Sequence, residues 1–428
     1  MKTGFMGWLQ LPKPWDADSE YNVWNNGLEQ IELCDRIGID HLWEIEHHFL
    51  EEYSHSSAGE SFLAACSQRT KRIRLGSGIC LLPPNYNHPA RVAERVAALD
   101  LMSNGRAEFG TGESTSFTEL DAFHVSRTEK RAMWRESLGV ICRMMVEEPF
   151  RGAQGKYFNM PPRNVIPKPR QKPHPPVWVA CSRQETIMTA AKFGIGALTF
   201  GFVSAEDARN WTASYYRVLA DAVPLTYRVT PNVGFLMTTL CDRDGDRARR
   251  MAEDNAFGLS GRHYYVDGVH KPGRTNLWEM QQAMPPEMRL NPFANAVGTP
   301  DEVRKVMLEY EAAGVDQLIL IVQFGKVPHE YVCDSLELFG KAVLPDIMER
   351  QEKREKEKAE RLAPVIEKVM KRRVEPEAPW YNEEYSYKAD GSMVRHWGYS
   401  PELMEEMAAK AQAATPPANG GKTTAPGK

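Results

Sequence analysis

His41-Leu42-Trp43-Glu44-Ile45-Glu46-His47-His48-Phe49 opens as a buried β-strand and finishes in ionisable groups. The helical pattern of residues 24–37 stops just before it at Gly38, a residue suited to ending helices. A helix that hands the chain to a short apolar run is half of a βαβ unit. The same alternation continues to about residue 344. Residues 4–9 read as a first strand and 61–68 as a second helix. A third strand over 73–82 ends at Pro83-Pro84. Residues 88–102 read as helix, with Pro89 suited to its first turn, and 106–111 as a fourth strand. Beyond it the pattern predicts helices over 131–146, 185–193 and 205–220, alternating with strands over 177–180, 197–202 and 230–240. Thr299-Pro300-Asp301-Glu302 then has the form of a capping box with proline at the first helical position. Its helix runs to Gly314, and 317–322 is a last, wholly apolar strand.

About eight strand–helix alternations favour an α/β fold closed as a (β/α)8 barrel over an open sheet. No G-x-G-x-x-G follows the first strand, which further weakens a dinucleotide-binding reading. Residues 1–345 are thereby used up as one barrel. Residues 255–296 lack a clear period and are expected to form an insertion after the seventh strand. Residues 346–374 alternate acidic and basic side chains three or four apart, which predicts an exposed charged helix. The tail, 375–428, carries aromatic clusters around Trp380-Tyr381 and Trp397, which are expected to dock onto the barrel or a partner. It ends in Pro-, Gly-, Thr- and Ala-rich sequence expected to be disordered.

The 428 residues are 42% hydrophobic and 26% charged, with 53 Lys+Arg against 57 Asp+Glu and a formal net charge of -4. That composition excludes a largely disordered chain, and the near-neutral balance argues against a dedicated nucleic-acid binder. The apolar stretches are too short and too interrupted for a membrane span. The seven cysteines are scattered without a C-x-x-C pair, which predicts reduced, buried thiols and a cytoplasmic protein.

In a barrel the carboxyl ends of the strands face the active site, so Glu46, His47 and His48 arrive where chemistry happens. Histidine titrates near neutrality and suits proton transfer. The competing reading is that the histidines merely cap a strand. A metal site is disfavoured, because neighbouring strand residues point to opposite faces and no further His/Cys cluster offers ligands. Strand positions Glu44, Glu46, Arg74, Arg106 and Glu108 predict an ion-paired layer inside the barrel, with Arg74 or Arg106 neutralising at least one carboxylate. Trp8, Phe49, Phe200 and Phe324, near strand ends, predict a hydrophobic pocket.

Glu46-His47-His48-Phe49, residues 69–78, Asn87-His88-Pro89-Ala90-Arg91 and residues 99–106 form an ordered set. Together they resemble the bacterial luciferase-like, flavin-dependent monooxygenase family, densely over the first two thirds and again near 298–325. The resemblance implies the same barrel with an insertion after the seventh strand. It implies reduced FMN delivered by a separate NAD(P)H:flavin reductase, reaction with O2 through a flavin peroxide, and a small hydrophobic organic substrate. It places His47 as the catalytic histidine and a non-prolyl cis peptide against the flavin at Gly78-Ile79.

The phosphate wall departs from bacterial luciferase: Glu113 stands where a phosphate-binding arginine is expected, and a carboxylate cannot pair a phosphate. The loop Ser182-Arg183 leading to Thr186 enters a helix and is the alternative anion cradle. Its plainer reading is an N-cap at Ser182 and a surface cation at Arg183. Small residues Ala64, Ala65, Ala90, Ala93 and Ala97 suit the helix-mediated homodimer of such proteins, or simple packing on the barrel. Two further readings stay open: a deazaflavin- or NADPH-linked oxidoreductase of the same superfamily, and a non-catalytic flavin-binding partner subunit.

Overall fold

Eight short apolar runs need hydrogen-bond partners on both edges, and the chain supplies them by closing the sheet on itself. The computed structural model describes residues 1–257, 271–285, 289, 295–375, 405–407 and 409–410. Its barrel strands are β1 (Lys2–Gly7), β2 (His41–Glu44), β3 (Arg74–Ser77), β4 (Ala107–Gly112), β5 (Val177–Cys181), β6 (Gly196–Thr199), β7 (Val233–Cys241) and β8 (Gln317–Ile321). All pair in parallel in chain order, and β8 returns to β1 with Leu320 beside Phe5. Helices cover the outside, among them α1 (Ser19–Ile37), α2 (Gly59–Arg69) and α3 (Pro89–Met102). This is the predicted (β/α)8 barrel. Gly38, at φ 106°, terminates α1 as expected, and Thr299 and Glu302 form the expected reciprocal cap.

The period of two decides what fills the interior. Trp43 and Trp178 point inward and meet edge to face, their ring centroids 5.1 Å apart. They fit because glycines face them: a Cβ on Gly76 would lie 2.4 Å from the Trp43 ring, and one on Gly196 2.4 Å from the Trp178 ring. Beneath the indoles sits the predicted ion-paired layer. The buried Glu108 carboxylate takes a very short bond from Arg74 Nε, accepts Trp178 Nε1 at 2.7 Å and lies 3.7 Å from His41 Nε2. Burial opposes its ionisation, yet the bond from His41 and the Arg74 charge hold it down at about 2. Arg106 takes no part. Its guanidinium satisfies the carbonyls of Ser67, Thr70 and Ile73 and so closes the turn ahead of the strand.

The third predicted strand is divided. β3 ends at Ser77, the Gly78-Ile79 peptide is cis, and Cys80–Leu81 resumes as a separate strand beside Thr111 and Gly112. Pieces absent from the sequence reading are present, among them the helices Phe117–Ala122, Gly245–Asn255 and His329–Ala342, the hairpin Ala153–Gln154 with Asn159–Met160, and the strand Asn295–Gly298 beside β7. Of the expected insertion, 258–270, 286–288 and 290–294 lie outside the described residues. Its described helix Leu277–Gln282 is fastened by Glu52, whose buried carboxylate accepts the Leu277 N–H at 2.6 Å and the Trp278 N–H at 3.2 Å.

The charged helix, Leu344–Met370, is exposed along its outer face as expected, and its inner face packs. It belongs to the same compact unit as the barrel, Met1–Pro379, and buries Leu362 and Val369. Two cations and an amide on its inner face meet acids that precede the barrel strands: Lys358 pairs with Asp316 at 2.8 Å, Arg350 with Glu311 at 2.9 Å, and Gln351 donates to Asp40 at 2.7 Å. It therefore braces the amino-terminal end of the barrel. The second unit, Trp380–Lys428, is described only at 405–407 and 409–410, which are helical; the aromatic clusters and the terminal stretch expected to be disordered lie outside the described residues. No helix among the described residues is long and apolar enough to cross a membrane.

Removing the cation from Glu108 tests the interior layer. Arg74→Met is expected to lower the unfolding free energy in urea by about 3–5 kcal/mol, the cost of leaving a buried charge uncompensated. Because Glu108 is held at about 2 against an ordinary 4.5, its contribution is complete above pH ~4.5 and is lost as pH falls towards 2. Arg74→Met should flatten that acid limb.

Candidate active site

The carboxyl ends of the strands surround a cavity of about 580 Å³, within the range of small-molecule sites. The inward phase of each strand sets its floor: Met6 and Trp8 from the end of β1, Ile45 after β2, Leu236 and Thr238 from β7, and Ile321 from β8. Phe200, Phe202, Phe257 and Phe324 make an aromatic wall. Trp8, Phe200 and Phe324 therefore stand where the sequence reading put them. Phe49 does not. It adopts φ 66°, is 54% exposed, and packs instead on Phe123 at 5.5 Å. The left-handed turn swings its ring away from the barrel mouth, and Leu50 and Tyr53 take the place beside the cavity.

His47, Gly78, Ile79, Glu113, Ser182, Arg183 and Thr186 all line this one cavity. His47 is held by a residue the sequence reading missed. Its Nδ1 lies 2.9 Å from Glu119 Oε1, which also accepts the His48 N–H at 2.9 Å, while Ser114 Oγ donates to Glu119 Oε2 at 2.6 Å. Burial works against the charge on Glu119, but the His47 charge and these hydrogen bonds hold its carboxyl below the usual range. A signal was present in Ser116-Phe117-Thr118-Glu119, the start of a capping box. Ser116 does cap the short helix, but Glu119 turns into the site instead of completing the box. His48 points elsewhere, bonding Glu46 at 3.2 Å among the rings of Tyr86 and Phe123. Despite its burial, that bond and the Glu46 charge raise its pKa.

The rim that follows β4 is polar and adjoins the His47–Glu119 pair through Ser114. Glu113 neither stands alone nor faces an anion unopposed: Lys130 Nζ and Arg131 NH2 each lie 3.4 Å from its Oε1. Lys130 also donates a very short bond to the Ser114 carbonyl. In the loop after the neighbouring strand β5, Arg183 rather than Ser182 occupies the N-cap of the helix Gln184–Lys192, and Thr186 Oγ1 donates back to the Arg183 carbonyl at 2.6 Å. Arg183 is exposed, and both it and Ser182 line the cavity. Lys130 and Arg131 pair with Glu113, and Arg183 adds a third cation from the next loop, so these loops set three cations against the one Glu113 carboxylate beside a helix N-terminus. Lys130 and Arg131 were missed because 131 opens a helix and reads there as a solvated first turn.

The alanine face of α3 is already used inside the chain: Ala93 and Ala97 are buried. Among the described residues no group of three or more His, Cys, Asp or Glu side chains is placed to hold a metal ion.

The profile of the luciferase-like monooxygenase family matches residues 6–317. The uncharacterized protein y4vJ of Sinorhizobium fredii is 32% identical over 176 residues, 41% of this chain and 49% of that one. The chain thus spans about half the length of that relative. The oxygenase component of the flavin-dependent trigonelline monooxygenase of Acinetobacter baylyi is 23% identical over 366 residues, 81% of this chain and 96% of its own. Among solved structures, monooxygenase RslO1 from Streptomyces bottropensis superposes with a TM-score of 0.66 at 25% identity, covering 81% of this chain and 100% of its own. The oxygenating constituent of 3,6-diketocamphane monooxygenase from Pseudomonas putida, in complex with FMN, gives 0.63 at 21%, covering 81% and 98%. An F420-dependent secondary alcohol dehydrogenase gives 0.61 at 17%, covering 80% and 98%, and shares the fold. With 312 consecutive positions under the family profile and the same barrel beneath them, the chain belongs to the luciferase-like monooxygenases.

Proposed function

We propose that this protein is the oxygenase component of a two-component monooxygenase. It binds reduced FMN delivered by a separate NAD(P)H:flavin reductase and transfers one atom of O2 to a small hydrophobic organic substrate, the other leaving as water. The observation that carries the reading is the His47–Glu119 pair on the wall of a largely apolar cavity that is also lined by Lys130, Arg131 and Arg183. The named flavin-dependent relative and the FMN-containing neighbour support the cofactor.

The residues fit a phosphorylated flavin. Ser182, Thr186, Arg183 and Arg131 would hold the phosphate at the helix N-terminus. Glu113 acts by holding Lys130 and Arg131 in place. Gly78, Ile79 and Gly112 offer a flat, narrow wall for the ring system: a Cβ on Gly112 would lie 1.9 Å from Ile79 Cδ1. Bound reduced flavin supplies the two electrons that O2 needs. The chain's part is to position, to exclude water and to move protons. Glu119 at Nδ1 fixes the His47 tautomer and leaves Nε2 for the reacting atoms, in the way carboxylates orient catalytic imidazoles. The phenylalanine wall keeps the reacting centre dry and receives the substrate. A flavin-binding partner subunit without turnover would have no use for a cavity histidine held by a buried carboxylate. The expected homodimer and a cytoplasmic setting belong to the same reading; a solution mass of a single chain would remove the dimer.

Photoreduced FMN mixed with the protein and O2 should regain its oxidised absorbance in two resolved phases. Labelled oxygen from O2 should appear in the product of one member of an aldehyde, ketone, alkane, terpene and sulfide panel. Turnover with reduced deazaflavin and no O2 would give the reductase reading instead. His47→Ala should keep FMN affinity within about twofold while product yield falls about 10²–10⁴-fold; full yield would remove His47 from the chemistry.

The cationic wall is tested by comparing FMN with riboflavin in equilibrium titrations. Arg131→Ala and Arg183→Ala should each weaken FMN by about tenfold, one charge-assisted hydrogen bond, and leave riboflavin unchanged. Equal losses for both ligands would move the phosphate elsewhere.

A further inference from the structure

Glu44 takes no part in the site as described, yet it is the strand residue whose burial is hardest to account for. The period of two points it out of the barrel, beneath α2, where it is 1% exposed. Space has been made for it. Its neighbour across the strand pair is Gly7, where a Cβ would lie 1.9 Å from Glu44 Oε2, and Gly59 begins α2 with a would-be Cβ 3.6 Å from Glu44 Cγ. Among the described residues no cation touches it, and Oε2 is buried without a hydrogen-bond partner. An ionised carboxylate in that setting would have an oxygen facing nothing that could stabilise it.

The hydrogen count around Ser56 is more telling. Ser56 Oγ lies 2.5 Å from Glu44 Oε1 and 2.7 Å from the Ile45 carbonyl. A hydroxyl has one proton, so it cannot donate to a carboxylate and to a carbonyl at once. Both contacts are satisfied when Glu44 carries a proton and donates it to Ser56 Oγ, which then donates to Ile45. Ser56, so fixed, accepts the His47 N–H on its own carbonyl at 2.9 Å. Its N–H donates to Ser54 Oγ at 3.1 Å, and Ser54 donates to the Trp8 carbonyl at 2.9 Å. One carboxylic acid thus anchors a chain of bonds from the end of β1 to the backbone of His47.

We propose that Glu44 is a positioning residue for His47, acting as a neutral acid that donates to Ser56 and so locks the segment on which the His47 backbone hangs. The geometry stands without the proposed oxygenase reaction; its importance for turnover rests on that reading. Burial supports the same protonation state, since it pushes the Glu44 carboxyl up to about 8 against the opposing bond from Ser56. The groups facing it are few: Gly7 from β1, Ser77 beside it on β3, Ser56 from the loop, and Gly59 and Cys66 from α2. Burial, followed by the Glu44 charge, drives the Cys66 thiol well above its ordinary range, so it does not titrate with Glu44. His48 titrates nearby but pairs with Glu46 away from this cluster.

The test follows the ring resonances of His47, assigned with a His47 variant, across pH in the flavin-free full-length protein. In the wild type they should show an inflection near pH 8 as Glu44 ionises and Ser56 turns from Ile45. Glu44→Gln, whose amide donates to Ser56 at every pH, should keep the neutral-pH resonances and lose that inflection. Ser56→Ala should displace the His47 resonances already at pH 7. An inflection that survives Glu44→Gln, or resonances unmoved in Ser56→Ala, overturns the proposal. Should the glutamine variant not fold, infrared difference spectra of wild type labelled at glutamate carboxyls decide: a protonated-carboxyl band at pH 7 that bleaches near pH 8 supports it, and its absence overturns it. No readout uses flavin or substrate, so failure of the oxygenase reading and failure of this one are separable.

Discussion

Closure of eight parallel strands is the constraint from which the rest follows. A closed parallel sheet satisfies every edge and sends all strand carboxyl ends to one rim, so a cavity at that rim is built from eight separate loops. It also leaves an interior that must be filled and kept neutral. Here the filling is two indoles set against glycines, and the neutrality is Glu108 bound to Arg74, His41 and Trp178. The two ends divide the work: acids before the strands receive the brace helix Leu344–Met370, and the carboxyl ends hold the cavity.

Within the cavity, function separates along the same geometry. One wall carries a histidine whose partner is buried and anionic, so its orientation is set before any ligand arrives. The loops after β4 and β5 carry three cations, Lys130, Arg131 and Arg183, against the one carboxylate of Glu113, so they are positive on balance. Between them the surface is aromatic and aliphatic. Such an arrangement suits a ligand with an anionic end and a flat body, with an apolar second molecule beside it. The acid at position 113 shows how a substitution that looks prohibitive in isolation is absorbed when two cations converge on it from the following helix.

The barrel was legible because its evidence is local: apolar runs of strand length, glycine at the end of α1 and a reciprocal cap at Thr299 and Glu302 are each written within a few residues. The candidate site was legible where a residue type is rare at its position, as with His47 after β2, or where a motif repeats a known family's order. It was not legible at Glu119, Lys130 and Arg131, since each has an ordinary role in the element that contains it. Phe49 was misplaced because nothing local signals that it adopts a positive φ. The packed inner face of the brace helix was not legible, because alternating charge along a helix looks the same whether its partners are its own neighbours or acids elsewhere in the chain.

The sequence by itself determined the barrel, the seven residues that converge on its rim, and membership of a family, because period, caps and motif order are properties of neighbouring residues. Only the tertiary structure decided which acid orients His47, which cations answer Glu113, and that Glu44 shares one proton with Ser56. Those are pairings between residues from 12 to more than 70 positions apart, formed when the closed sheet brings separate loops together. Charge and hydrogen-bond partnership depend on distances of a few ångströms, and spacing along the chain does not encode them.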